Sequence, residues 1–278
     1  MKVLKVLKVF NNNSVAAISN ELGDIIVTGS GVGFQKKQGD LVDQAKVEKT
    51  YLFDGNQKKR FKQSINSINS IYFEITDVIV TKAIEDLHTD FSSEIFITIS
   101  DHLSYAVKRK KENISLPNII LNETRALYKK EYQLGLWAID YIEEKIGIRL
   151  DEDEVGYIAL YLVSFSLNSE ANNAKKIITL TKEVLNLINK IMKIDLSQDT
   201  LAYARISTHL KYLAERIFRK EAIYNEDTTA DIRKILNEDS RLIVCMKEIV
   251  KLIKERYQYE LSPDEQTYLC IQIKKNMQ

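Results

Sequence analysis

Apolar residues follow two rhythms along this chain. Up to residue 53 they come in short β-prone runs: VLKVLKVF (3–10), SVAAIS (14–19), IIVTG (25–29) and VEKTYLF (47–53). Between them lie NNN, the turn-like NELGD and the glycine-rich, basic GSGVGFQKKQGD at 29–40. Short runs with tight turns predict a small four-stranded antiparallel sheet, although lysines at 2, 5 and 8 interrupt the first alternation. DGNQKKRFKQ at 54–63 is polar and reads as a linker. From about residue 65 the apolar spacing becomes three and four, the period of helices. LYKKEYQLGLWAIDYIEEKIG at 127–147 shows it clearly and ends on Gly147, a C-cap glycine.

The helical part repeats itself. ISDHLSYAVKR (99–109) matches ISTHLKYLAER (206–216), and LDEDEVGYIALYL (150–162) matches LSPDEQTYLCIQI (261–273). Each copy is about 105 residues, enough for a helical bundle; NSEANNAKK at 168–176 joins them. The expected class is multidomain α+β. A β-sheet head spans 1–57, a linker 58–66, and two homologous all-α bundles span 67–171 and 172–278. So small a head buries little core alone and is expected to pair with a second copy.

Composition changes this picture little; charge changes it more. Two prolines and nine glycines favour helices over most of the length. VGYIALYLVSF (155–165) is far short of the roughly 18 apolar residues of a membrane span, and no secretory leader is read at the start. Cys245 and Cys270 form no CxxC pair and read as core thiols of a cytoplasmic protein. The net charge of +1 divides unevenly. Residues 1–64 carry 11 Lys+Arg against 6 Asp+Glu, the remainder 29 against 33. A basic head on an acidic body points to a polyanionic partner for the head. GSGVGF lacks the GK[ST] ending of a phosphate-binding P-loop, which argues against a nucleotide enzyme.

Together FNNNSV, GSGVGFQKKQGD, VEKTYLF, SDHLSYAVKR, NETRALYKKEY (122–132), DEDEVGYIALYL and THLKYLAERI resemble the BglG/SacY family of transcriptional antiterminators. GVGFQKK is similar to the head loop of that family's glucose-type branch. The resemblance implies a dimeric RNA-binding (CAT) head that grips a hairpin overlapping a terminator, followed by two PTS regulation domains. It puts Lys8, Asn11, Asn13, Gly29, Ser30, Phe34 and Gln35 on the RNA side. Asn amides read base edges, glycines let backbone near phosphate, Phe stacks on a base and Lys attracts phosphate. Ser30 stands where many members carry a basic residue.

Two of the chain's three histidines, His102 and His209, match the first phosphorylatable histidine of each regulation domain. The resemblance implies phosphate on His102 from a sugar-specific permease component and on His209 from the general phosphocarrier protein. Asp101 is expected to orient the His102 ring, with Thr208 in its place in the second copy. Arg109 and Arg216, two helical turns on, are expected to face the phosphoryl group. The family's second histidine is replaced by Tyr161 and Gln272, leaving one acceptor per domain. His88 has no counterpart and reads as a solvated histidine; Asp151, Glu152, Asp153 and Glu154 read as a helix N-terminus. The expected protein is a non-enzymatic regulator without cofactor or metal. A phosphotransfer protein and a DNA-binding activator with the same regulatory domains are the alternatives.

Overall fold

The computed structural model describes residues 3–53, 61–63, 65, 67–167, 173–194, 201–220 and 239–275. Most of the polar linker (54–60, 64, 66) and most of the join between the copies (168–172) lie outside them. Chain contacts divide the protein into two units, 1–118 with 130–171, and 119–129 with 172–278.

The first unit opens with the sheet: β1 (Leu4–Asn11), β2 (Ser14–Ser19), β3 (Gly23–Thr28) and β4 (Lys49–Leu52), antiparallel in the order β1-β2-β3-β4. One face carries Leu4, Val6, Val15, Ala17, Ile25 and Val27, closed over by Val32 and Val42 from the loop after β3. That loop also runs along the free edge of β1: Val6 N–H donates to Asp40 O, and the N–H groups of Gly39 and Val42 donate to Val6 O and Leu4 O. The edge is thus paired over Leu4 to Val6. The register slips between Val6 and Lys8, which explains the broken alternation seen in the sequence.

The other face is the row Lys8, Ala16, Ile26 and Tyr51, paired across the strands. The first bundle covers it. Phe10 stacks on Phe73 of α1 (Ser70–Leu87) with centroids 4.3 Å apart, and Tyr51 meets Phe96 of α2 (Glu94–Lys111) at 4.2 Å. The central residues of both faces are therefore buried within this unit, while Ile18 and Leu52 stay exposed.

Unit one continues through α4 (Lys129–Ile146) and α5 (Glu152–Phe165). Gly135 allows their close approach, since a Cβ there would lie 2.7 Å from Val155 O. Gly147 ends α4 at φ +69°, its N–H on Glu143 O, as the sequence suggests.

The helix read across 127–147 is two. α3 (Leu121–Leu127) stops at Tyr128, φ −128° and ψ 58°, and α4 starts at Lys129. The break has a reason: α3 packs into the other unit. That unit holds α6 (Ala174–Met192), α7 (Leu201–Arg219), α8 (Ser240–Tyr257) and α9 (Pro263–Lys275) around one core, which includes Cys245 and Cys270. Glu123 of α3 is buried there, 3.7 Å from Lys182 Nζ, while Lys211 lies 4.6 Å over the Tyr128 ring. Both cysteine thiols are reduced, buried and pushed up to about 11 by that burial, which makes them inert.

Candidate nucleic-acid edge and histidine centres

At one end of the sheet the β1–β2 turn and the loop after β3 are laced together. Asn11 Oδ1 accepts from Asn13 N–H (2.7 Å) and from the Ser14 hydroxyl (3.1 Å). Asn13 Oδ1 accepts from Gly31 N–H (2.9 Å), Asn13 O from Gly29 N–H and Asn12 O from Gly33 N–H. The carboxamide oxygens are thus spent on holding the loops, and the NH₂ ends of Asn11 and Asn13 have no partner among the described residues. Those are donors suited to base edges or sugar hydroxyls.

Close packing explains the glycines. A Cβ on Gly29 would sit 1.9 Å from Lys46 O, and one on Gly33 2.2 Å from Asn11 O. Phe34 projects 53% exposed, Gln35 sits at φ 55°, and Ser30 N–H is held by the Glu48 carboxylate at 3.0 Å. Six of the seven expected residues therefore share this edge. Lys8 does not join them. Its ammonium donates to the carbonyls of Ile65 (2.6 Å) and Ile68 (2.8 Å) on the bundle-facing side, and burial lowers its pKa. The exposed cation at the edge is Lys46, whose Nζ would lie 3.6 Å from a Cβ on Gly31; Lys37 is exposed further along the same loop. The QKK in the loop motif was the available signal for Lys37, and nothing in the sequence marked Lys46.

The edge also borders a groove of about 460 Å³ whose lining includes Asn13, Ser30, Glu48, Asp77, Glu85 and Trp137. Its three carboxylates stand alongside one cation, Lys82.

In the first bundle, His102 of α2 faces α5 with its side chain 10% exposed. Nε2 lies 2.6 Å from Glu154 Oε2, Nδ1 lies 3.2 Å from the Tyr161 hydroxyl, and Arg109 donates to Glu154 Oε1 at 2.8 Å. The Tyr157 and Tyr161 rings stand 5.3 and 5.1 Å from the imidazole. Burial alone would raise the Glu154 carboxyl; hydrogen bonds and charge from His102 and Arg109 outweigh it and hold the group below the ordinary range. Burial and the Glu154 charge push the Tyr161 phenol up to about 12.

The expectation for Asp101 is corrected by this geometry. Both ring nitrogens of His102 have partners, and neither is Asp101. The orienting groups are Glu154 and Tyr161. Thr208 fails in the same way, its hydroxyl spent on Ala204 O one turn back in α7. The acidic run does begin a helix, yet its members are dispersed: Asp151 to Lys110, Asp153 to Asn118 N–H, Glu152 to the Tyr132 hydroxyl and Glu154 to His102. A signal for Glu154 existed, since the repeat aligns it with Glu265. His88 is exposed and caps α1 in the left-handed conformation.

The second bundle departs from the first. His209 Nδ1 lies 3.1 Å from the Tyr268 hydroxyl, with the rings edge-on at 5.4 Å. Tyr268 aligns with Tyr157, one helical turn before the position of Tyr161. Glu265 is drawn elsewhere. It forms a reciprocal cap with Ser262: Ser262 N–H donates to Glu265 Oε2 (2.9 Å) and Glu265 N–H to Ser262 Oγ (3.2 Å). Its other oxygen accepts from the Tyr259 hydroxyl and lies 3.7 Å from Arg216 Nε. In the first copy Asp151 stands where Ser262 does and its side chain caps nothing. Glu154 is therefore free of the helix end and reaches the histidine. Burial and Lys275 lower the His209 pKa.

An antiparallel sheet with a laced polar edge, joined to two repeated histidine-bearing bundles, defines an RNA-binding regulator. The CAT RNA binding domain family matches residues 4–60, and the PRD domain family matches 77–165 and 182–276. The chain belongs to the BglG/SacY family of transcription antiterminators, built from these domains. It is 32% identical to "Transcription antiterminator LicT" of Bacillus subtilis (strain 168) over 98% of each chain, and 30% identical to "Beta-glucoside operon antiterminator" of Dickeya chrysanthemi over 98% of this chain and 96% of that one. Identity to "Protein GlcT" of Staphylococcus haemolyticus is 27%, over 96% of this chain and 93% of the relative. A solved structure, "Crystal structure of GlcT CAT-PRDI", is 32% identical, covers 60% of this chain and 99% of its own, and gives a TM-score of 0.50. These identities spread over both kinds of relative, beyond the glucose-type branch that the head loop suggested. Among the described residues, no helix is long and apolar enough to cross a membrane.

Proposed function

We propose that this chain is a transcription antiterminator whose head holds an RNA hairpin that competes with a terminator, and whose bundles are set by phosphoryl groups on His102 and His209. The observation that carries the RNA reading is the laced edge, where two Asn amides, the Phe34 ring and the exposed Lys46 meet. The proposed donors are a sugar-specific permease component for His102 and the general phosphocarrier protein for His209. The active form is proposed to be a homodimer in the cytoplasm.

A phosphoryl group adds nearly two negative charges. On His102 it arrives beside Glu154, and Arg109, now serving that carboxylate, is the cation within reach to answer it. One local exchange of partners between α2 and α5 thus becomes a change in how these helices pack.

The test uses the full chain. An RNA hairpin and duplex DNA of matched length are compared as competitors, before and after phosphorylation, with His102→Ala and His209→Ala as controls for phosphohistidine mass spectrometry. Hairpin-selective binding that phosphorylation changes is expected. Equal competition by duplex DNA overturns the RNA reading, and absence of label at both histidines overturns the switch.

A further inference from the structure

The histidine centre of the first bundle fixes more than which residue accepts phosphate. We propose that Nδ1 of His102 is the accepting nitrogen, and that Glu154 is the positioning residue that keeps the proton on Nε2 while the group arrives. This deepens the switch reading above and rests on it.

The argument starts from Glu154. Arg109 and His102 together hold it ionised, and an ionised carboxylate only accepts hydrogen bonds. At 2.6 Å from Glu154 Oε2, Nε2 must therefore carry its hydrogen. A protonated ring nitrogen has no lone pair for phosphorus. The lone pair that can attack belongs to Nδ1, whose partner among the described residues is the Tyr161 hydroxyl, a phenol that stays protonated and can donate to it. This holds whether the resting ring is neutral or doubly protonated, because Nδ1 is the nitrogen that can give up its proton.

The step balances. With the phosphorylated permease component as donor, the donor's bond to phosphorus breaks and the donor atom keeps the electron pair. The Nδ1 pair forms the new P–N bond. The Nε2 proton stays, and the positive charge that develops on the ring faces Glu154 at contact distance. Tyr161 must turn aside to admit the phosphoryl group, after which its hydroxyl can donate to a phosphoryl oxygen. Tyr161, standing where a second acceptor is expected, thus becomes a shutter over the first.

The second copy supplies the contrast. A tyrosine hydroxyl also meets Nδ1 of His209, but Glu265 is committed to the Ser262 cap and no carboxylate holds Nε2 among the described residues. His102 is the preorganised acceptor, and the His209 tautomer is open.

With three histidines in the chain, ring nitrogens are readily assigned after ¹⁵N-histidine labelling. Long-range ¹⁵N–¹H spectra of the full-length unphosphorylated protein, with His102→Ala and His209→Ala for assignment, should show His102 as one Nε2–H species and His209 as an averaged pair. After phosphoryl transfer from the sugar-specific permease component, or from phosphoramidate, ³¹P coupling should fall on Nδ1 of His102. Glu154→Gln should average the His102 tautomers, place phosphate on both nitrogens and slow labelling about 10- to 100-fold, the loss seen when the carboxylate orienting a metal-bound histidine is removed. Tyr161→Phe should keep the Nδ1 isomer, which guards against a general loss of folding. A His102 tautomer protonated on Nδ1 alone, or coupling to Nε2, overturns the proposal. A fixed Nε2–H ring that takes no phosphate from either donor overturns the switch reading itself.

Discussion

Replacing Asp77 by Asn should stabilise the first unit, and more so at pH 7.5 than at pH 5. Asp77 lies in α1 beside Ser14, on the wall of the groove that borders the head. Burial raises its carboxyl from 3.8 to about 6; the Ser14 hydroxyl pulls it back in part and Glu74 pushes it further up. A raised acid favours its protonated form in the folded state. Above pH 6 the carboxyl is ionised in both folded and unfolded chains and the full penalty applies. The penalty shrinks as pH falls from 6 towards 3.8.

Roughly two units at about 1.4 kcal/mol each put that penalty near 3 kcal/mol at pH 7.5, and the same relation leaves about half of it at pH 5. Asn keeps a hydrogen-bonding end for Ser14, so little is lost in exchange. The only tryptophan, Trp137, stands in the same groove and reports this unit alone. Urea unfolding of wild type and Asp77→Asn, followed by its fluorescence at both pH values, gives the difference free of other titrating groups. A variant no more stable than wild type at pH 7.5, or a gain that does not shrink at pH 5, refutes the reasoning.

Gly33→Ala should unfold or loosen the head, because its Cβ would press on Asn11 O; amide exchange of the β1–β2 turn reads this. Phe34→Ala should cost about 1–3 kcal/mol of hairpin binding without altering its salt dependence, whereas Lys37→Gln should weaken all RNAs alike and lower the salt slope by about one; titrations at several salt concentrations separate the two. His209 should protonate below the ordinary 6.5, and Lys275→Gln should move it up towards that value in an NMR titration. Asp151→Ser should complete a Ser262-type cap, draw Glu154 to the helix end and release the His102 tautomer, visible in the same ¹⁵N spectra.

The strands, the repeat and the two histidines were legible because each rests on local spacing. The broken alternation at Lys8 was legible as an anomaly, but not its cause. A register slip turns Lys8 towards two carbonyls of a segment 57 and 60 residues away. The break at Tyr128 was invisible because both sides of it are amphipathic with one period. What separates α3 from α4 is which core each joins, a tertiary choice that periodicity does not encode.

The misassigned orienting group follows from the same limit. Asp101 precedes His102 in sequence, so on a helix it points about 100° away from the ring. Glu154 is 52 residues distant and reaches it across two packed helices. Whether it does so is decided one turn earlier, at the helix start. Serine at that start shares a reciprocal cap with the glutamate, whereas Asp151 caps nothing and pairs with Lys110, and Glu154 goes to His102 and Arg109. The pair Asp151 and Ser262 thus separates two bundles that the repeat makes look alike. On the proposed reading of one acceptor per domain, a histidine held in one tautomer and a histidine free to change give two inputs of unequal readiness from a single duplicated scaffold.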